Sequence, residues 1–314
     1  MNEDRITDMG RYVLEEWAED YRKGQLGRRE FLRRVVLFAG STATAVPLLG
    51  RLGVAASAEE VSAATAQVPP PQATQGVTVP PDDPAIQVGM VTFAHDGTNV
   101  RGYLARPRNR DRAPGLVLCH ENRGLVEHTR DVARRFAKVG YVALAVDLAS
   151  HEGGTDRFGD PAAVTALLGR TPPAQLVGML DGGVHHLRSR DFVHADRIGA
   201  IGWCFGGGMT WRLVTVNRDI RAAVPYYGPN PPLEDVPRIH AAVLGIYAEQ
   251  DQRINAGIPA LREALQRANV THEIVIFPGV DHAFFNDTGA RYNAAVARQA
   301  WERTLAWLQR YLGA

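Results

Sequence analysis

The chain has 314 residues, with 35 Lys and Arg against 34 Asp and Glu, a net charge of +1. The two signs are interspersed outside one arginine cluster near the amino terminus, so there is no electrostatic footprint for nucleic acid. Ten histidines invite a metal reading. His185 and His186, however, are adjacent on a predicted helix and point about 100° apart, and His120, His240 and His272 show no ligand spacing. Neither a metal nor a cofactor is expected.

Residues 1–25 form a polar, helix-prone lead. The run Gly27-Arg28-Arg29-Glu30-Phe31-Leu32-Arg33-Arg34 then resembles a twin-arginine export signal: paired arginines, a spacer, Phe-Leu and further basic residues. Residues 35–50 carry no charge but fall short of the roughly 20 apolar residues a spanning helix needs. Ala56-Ser57-Ala58 supplies an A-x-A cleavage site. Residues 1–58 are therefore expected to engage the twin-arginine export machinery. The product, beginning at Glu59, would be periplasmic or extracellular, with no stable membrane span after cleavage. A basic amphipathic helix or a membrane anchor would share the pattern. Residues 59–84, rich in Ala, Pro, Gln and Thr without hydrophobic period, predict an extended linker with no fixed path.

Residues 85–314 are long enough for one substantial core. A strand pair is expected over 87–93 and 100–105, joined by a turn at Asp96-Gly97-Thr98-Asn99. Strand 115–119, helix 129–139 and strand 141–147 follow. A polar, Gly-rich loop over 149–160 leads to helix 174–188. Next come a strand ending near Gly202, a helix beginning at the glycines after it, and strands 222–226 and 242–247. Helix 258–268, strand 273–277 and a closing helix over 292–312 complete the pattern. Strand–helix alternation predicts a doubly wound, mostly parallel sheet with helices on both faces.

Gly202-Trp203-Cys204-Phe205-Gly206-Gly207 directly follows the apolar run Ile198-Gly199-Ala200-Ile201. A strand, a tight turn and a helix in that order form a nucleophile elbow, usually G-x-S-x-G, with the nucleophile on a strained turn at the top of the sheet. Small residues flank it because helix and strand backbones approach closely there. Here the nucleophile position holds Cys204. The elbow predicts an acid and then a histidine further along. Asp251 follows the strand at 242–247, and His282 follows the strand at 273–277. Both fall past the carboxyl ends of strands, where open parallel sheets place their ligands. Taken singly, each has a plainer reading: an inert buried cysteine, a helix N-cap aspartate, a hydrogen-bonded loop histidine. Their conjunction in elbow order favours a Cys204–His282–Asp251 triad. Asp281 is the weaker candidate for the acid. Cys119 reads as a buried strand residue, since a bridge to Cys204 would consume the nucleophile.

Together with Pro114-Gly115-Leu116-Val117-Leu118-Cys119-His120-Glu121-Asn122-Arg123-Gly124-Leu125 and Tyr226-Tyr227-Gly228, these segments resemble the dienelactone hydrolase family over about 85–312. The resemblance implies an α/β-hydrolase fold and carboxymethylenebutenolidase-like hydrolysis of a small ester or lactone. It implies that Glu121 contacts the nucleophilic cysteine and receives its proton when substrate repositions the sulfur. It also implies an oxyanion hole of the backbone N–H groups of Phe205 and Asn122. Family members that bind a carboxylated lactone use two arginines. The position of one is Asn286 here, and the second has no clear match; Arg123 and Arg157 are the substrate-binding candidates nearby. The same residues leave room for an exported carboxylesterase, thioesterase or peptidase of this fold, or for a non-catalytic or thiol-redox protein using Cys119 and Cys204.

Overall fold

The structure, a computed structural model, describes residues 6–65 and 77–313. Its centre is an eight-stranded sheet in the order β1-β2-β4-β3-β5-β6-β7-β8. The strands are β1 (Ile86–His95), β2 (Thr98–Pro107), β3 (Ala113–Cys119), β4 (Val142–Val146), β5 (Val193–Trp203), β6 (Ile220–Tyr226), β7 (Ala242–Ala248) and β8 (His272–Phe277). Asp96 and Gly97 both take positive φ, 46° and 76°, which closes β1 and β2 as a two-residue hairpin whose twist matches the strands. β2 pairs antiparallel with β4, and every pairing from β4 through β3 to β8 is parallel. Strands such as Val142–Val146 and Ala242–Ala248 are buried along their whole length, as expected where helices cover both faces.

The covering helices of this part are α5 (Glu127–Lys138), α6 (Pro161–Arg170), α7 (Pro173–Arg188), α8 (Phe205–Val216), α9 (Gln252–Asn255), α10 (Ile258–Arg267) and α11 (Ala294–Leu312). This is the α/β-hydrolase fold. From β3 the chain crosses to β4 on one side, whereas β5 lies on the other, so the strand order reverses between β3 and β5. The crevice at such a reversal is where open α/β sheets bind ligands. The sequence reading passed over α6, although Asp160 caps it by accepting the Ala162 N–H at 2.9 Å and Pro161 opens it.

The amino-terminal segment differs most from expectation. It forms α1 (Asp8–Arg22), α2 (Arg28–Ala39), α3 (Thr42–Arg51) and α4 (Ala58–Thr65). Met9, Tyr12, Val13 and Trp17 fall at helical spacing on one buried face of α1. Phe31, Leu32, Val35 and Phe38 do the same on α2. Trp17 meets Phe38 edge-on at 6.4 Å between ring centres, and Tyr21 stacks on Phe31 at 4.9 Å. Arg28 pairs with Glu60 at 2.6 Å, and Arg33 with Glu30 at 2.7 Å and with Asp160. α4 carries helix into the span expected as a linker, as far as Thr65, with Val61 and Ala64 buried. Further along that span, the Thr78 and Val79 N–H groups donate to Asp131 at 3.1 and 2.8 Å. Residues 66–76 lie outside the described residues. Among the described residues no single helix is long and apolar enough to cross a membrane; α2 and α3 pass together only as a pair bent by 116°.

Candidate active site

Cys204 sits between β5 and α8 at φ 58°, ψ −121°, a conformation that costs a non-glycine residue about 1–3 kcal/mol and persists only where its surroundings enforce it. The enforcing contacts are backbone ones. The Cys204 N–H donates to Tyr226 O at 3.1 Å, and Gly207 N–H returns to Cys204 O at 2.9 Å. A Cβ on Gly202 would stand 2.1 Å from Gly206 O, and one on Gly206 would stand 2.3 Å from Cys119 O. The glycines of the motif are thus required by the crossing of β3, β5 and α8.

Asp251 and His282 stand on the loops after β7 and β8, 2 % and 4 % exposed. Asp251 serves two functions: Oδ1 caps α9 by accepting the Ile254 N–H at 3.4 Å, while Oδ2 lies 2.6 Å from His282 Nδ1. The N-cap reading holds, and the same carboxylate also meets the imidazole. His282 Nε2 is buried, makes no hydrogen bond in this state, and points toward Cys204 and Glu16. Burial disfavours the charged imidazole, but Asp251 and the Cys204 sulfur outweigh it and hold the His282 pKa well above the ordinary value. Burial also opposes ionisation of Asp251, and His282 outweighs it, keeping Asp251 below the usual carboxylate value. Burial first and Glu16 second push the Cys204 thiol up, with His282 pulling the other way. Asp281 points elsewhere: it accepts the His282 backbone N–H at 2.7 Å and pairs with Lys23 at 3.3 Å.

A cavity of about 790 Å³ opens onto Cys204 and His282, with Glu121, Asn122, Arg123 and Asn286 among its lining residues. That volume suits a small organic substrate. His120 is fully buried and ties this wall together, its Nδ1 2.6 Å from Glu121 O and its Nε2 accepting the Leu148 N–H at 3.1 Å. Phe205 opens α8 directly after Cys204, and Asn122 follows β3 and lines the cavity. Two expectations are corrected. Glu121 does not hydrogen-bond the sulfur; its Oε2 accepts from Asn286 Nδ2 at 2.5 Å, and its Oε1 is buried with no partner. The position expected for an arginine thus holds the residue that occupies the glutamate. Arg157 is exposed in a short turn, Thr155–Arg157, and does not line the cavity; Arg123 does, exposed at its rim.

The sequence reading missed the contribution of the first two helices. Tyr12 Oη lies 3.3 Å from Cys204 Sγ, and Glu16 Oε1 lies 3.5 Å from it. Trp17, Asp20, Arg33 and Arg34 line the cavity as well. The buried face of α1 at helical spacing was the available signal. Glu16, Cys204 and His282 have donor atoms within 4.8 Å of one another, as do His95, Asp181 and His185 elsewhere. The first group is accounted for by the thiol and its partners; in the second, His185 is exposed and already pairs with Asp181 at 3.2 Å.

Residues 100–312 match the model of the dienelactone hydrolase family. The chain belongs to that family. A candidate carboxymethylenebutenolidase of Escherichia coli K12 is 35 % identical over 246 residues, covering 74 % of this chain and 90 % of the relative. A relative of the same description from Saccharolobus solfataricus is 30 % identical over 253 residues, covering 70 % and 97 %. Among solved structures, a candidate dienelactone hydrolase from Klebsiella pneumoniae superposes with a TM-score of 0.67 at 34 % identity, covering 72 % of this chain and all of that one. By this membership the protein is a dienelactone hydrolase-like hydrolase. The family match begins at residue 100, so α1 to α4 lie outside it.

Proposed function

We propose that the protein hydrolyses a carboxylic ester or lactone through a covalent thioester on Cys204. The observation that carries this reading is the strained cysteine at the top of β5, within reach of an imidazole whose other nitrogen is held 2.6 Å from a buried carboxylate. In the first half-reaction His282 Nε2 takes the thiol proton and the sulfur attacks the carbonyl carbon, so that the C–S bond forms as the carbonyl π pair moves to oxygen. The N–H groups of Phe205 and Asn122 receive that oxyanion; one such donor contributes roughly 3 kcal/mol in related acyl transfers. The C–O bond then breaks and the leaving alkoxide takes the proton from His282. In the second half, His282 takes a proton from a water as its oxygen attacks the thioester carbonyl; the C–S bond then breaks, the sulfur recovers the proton from His282, and the acid is released. Asp251 fixes the imidazole tautomer and stabilises its cation.

Substrate charge follows from the cavity. Arg33 and Arg34 pair with Glu30, and Arg291 with Asp20 at 3.1 Å. Among the described residues, Arg123 is the cavity arginine without an ion pair, and it is exposed. Glu16 and Glu121 add negative charge beside the sulfur. Neutral esters and lactones fit this lining better than carboxylated ones. The test is Cys204→Ala assayed on an activated neutral ester: loss of several orders of magnitude in rate with an unchanged melting curve supports the reading, and full activity removes the covalent mechanism.

Export through the paired arginines, with cleavage before Glu59, is proposed on the sequence motif alone. Cleavage there would detach α1 to α3 and with them Tyr12 and Glu16. The amino terminus of the protein recovered from cell fractions decides it: a chain beginning near Glu59 outside the cytoplasm supports export, and an uncleaved cytoplasmic chain overturns it.

A further inference from the structure

Glu16 is 6 % exposed, and a buried carboxylate persists only with partners. Its partners all belong to the site. Oε1 lies 3.5 Å from Cys204 Sγ and 3.8 Å from His282 Nε2, and Oε2 accepts from Asn122 Nδ2 at 3.0 Å. One side chain, on a helix outside the family match, thus touches the thiol, the imidazole and the residue read as an oxyanion donor. Four contacts seat that helix across the crevice: Asp8 with Arg212, Glu19 with Arg253 at 3.0 Å, Asp20 with Arg291 at 3.1 Å and Lys23 with Asp281 at 3.3 Å.

We propose that in the uncleaved chain α1 is a working wall of the active site, and that Glu16 is a catalytic residue there, accepting the Cys204 S–H in the resting enzyme and holding Asn122 in register for the oxyanion. The inference rests on the reading of Cys204 as nucleophile. With α1 seated, Cys204 and His282 are only 3 % and 4 % exposed, yet both still line the cavity. Glu16 also occupies the role expected of Glu121, whose carboxylate is turned to Asn286. During attack the S–H proton passes to His282 and on to the leaving alkoxide, so Glu16 takes up no proton in the cycle. Its carboxylate faces the imidazolium, 3.8 Å away, while the tetrahedral intermediate stands and His282 holds the proton, where opposite charges attract.

The titratable and charged groups around the sulfur are Tyr12 and Glu16 on α1, Cys119 on β3, Glu121 after it, Tyr227 after β6, Asp251 and Arg253 after β7, and His282 and Arg291 after β8. Glu16 is the carboxylate in contact, so among these charged groups it should weigh most against ionisation of the thiol. The experiment measures, in the full-length protein, the pH midpoint of Cys204 alkylation by iodoacetamide together with kcat/KM on a neutral p-nitrophenyl ester. Glu16→Gln, isosteric but uncharged, should lower the midpoint by about one pH unit and lower kcat/KM about tenfold. A thiol that becomes more acidic and yet less effective marks a working group. A lowered midpoint with raised kcat/KM would make α1 a mask, and no change in either would mean that α1 does not rest on the thiol. A larger midpoint shift in Glu121→Gln would give Glu121 the role. Each of these three results overturns the proposal. Asp8→Ala with Glu19→Ala, which loosens α1 without touching the site, should lower kcat/KM several-fold, and a rise would again mean a mask. Full activity in Cys204→Ala would defeat the nucleophile reading separately, since the alkylation midpoint of the Glu16 variant is measured without turnover.

Discussion

Replacing Asp251 by asparagine should cost most of the activity while leaving the fold in place. The amide keeps the shape and can still cap α9 through its oxygen, which accepts the Ile254 N–H in the native chain. What it loses is the anion 2.6 Å from His282 Nδ1, in a place where both side chains are almost fully buried. A charge-assisted hydrogen bond of this kind is worth about 1.5–3 kcal/mol. The amide also offers N–H to the imidazole and so favours the tautomer with its proton on Nε2, which cannot accept one from the thiol. The same exchange of acid for amide in serine hydrolases lowers turnover about 10⁴-fold. The expected fall in kcat/KM here is about 10³-fold, roughly 4 kcal/mol of transition-state stabilisation. The pH dependence of stability should change with it. Asp251, held low, contributes stability above the unfolded carboxylate pKa near 3.9, which is lost as pH falls through the folded value. His282, held high, contributes below the unfolded value near 6.5, and this is lost as pH rises through the folded one. Both contributions should shrink in the variant. The assay compares Asp251→Asn with Asp281→Asn on an activated ester, with urea midpoints across pH. Asp281 faces Lys23 and the His282 backbone, so its variant should stay within about threefold of the native rate. Retention of more than a tenth of the activity in Asp251→Asn, or a greater loss in Asp281→Asn, would refute the reasoning.

Three further outcomes are expected. A neutral lactone should be hydrolysed with kcat/KM at least equal to that of a carboxylated lactone matched in ring and leaving group, because Asn286 stands in the place of an arginine and is taken up by Glu121. A strong preference for the carboxylate that disappears in Arg123→Ala would show instead that Arg123 binds it. Asp131→Ala should destabilise the protein by about 3 kcal/mol or more in urea titration, since it strands the Thr78 and Val79 N–H groups and takes one partner each from the buried Arg134 and from Arg135; a loss below 1 kcal/mol would contradict this. Gly206→Ala should lower stability by about 1–3 kcal/mol and distort the elbow, because its Cβ has no room beside Cys119 O; native activity and stability would contradict that close approach.

The sheet and the elbow were legible because their signals are local. Fully buried parallel strands read as unbroken apolar runs, and the glycines around Cys204 follow from backbone approaches that only glycine permits. Asp251 and His282 were legible because the order of elements fixes where strand-end loops gather. The path of α1 was not. Arg28-Arg29-Glu30-Phe31-Leu32 followed by a small apolar run has the pattern of an export signal, but the same residues also make α2, whose apolar face packs on α1 and α6. The partners that seat α1, Arg212, Arg253 and Arg291, lie about 200 residues or more along the chain, and no periodicity points to them. Glu121 was misplaced for a related reason. Its motif fixes the loop after β3 but not the side-chain direction, which Asn286 settles by donating to the carboxylate.

The central claim is a covalent acyl-enzyme on Cys204. Intact-mass and peptide analysis of the full-length protein, acid-quenched during turnover of a slowly released activated ester, tests it most directly. An added acyl mass is expected on the peptide containing Cys204, decaying with the rate of turnover and absent in Cys204→Ala. Acylation of another residue, or steady hydrolysis by the Cys204→Ala variant, would contradict it.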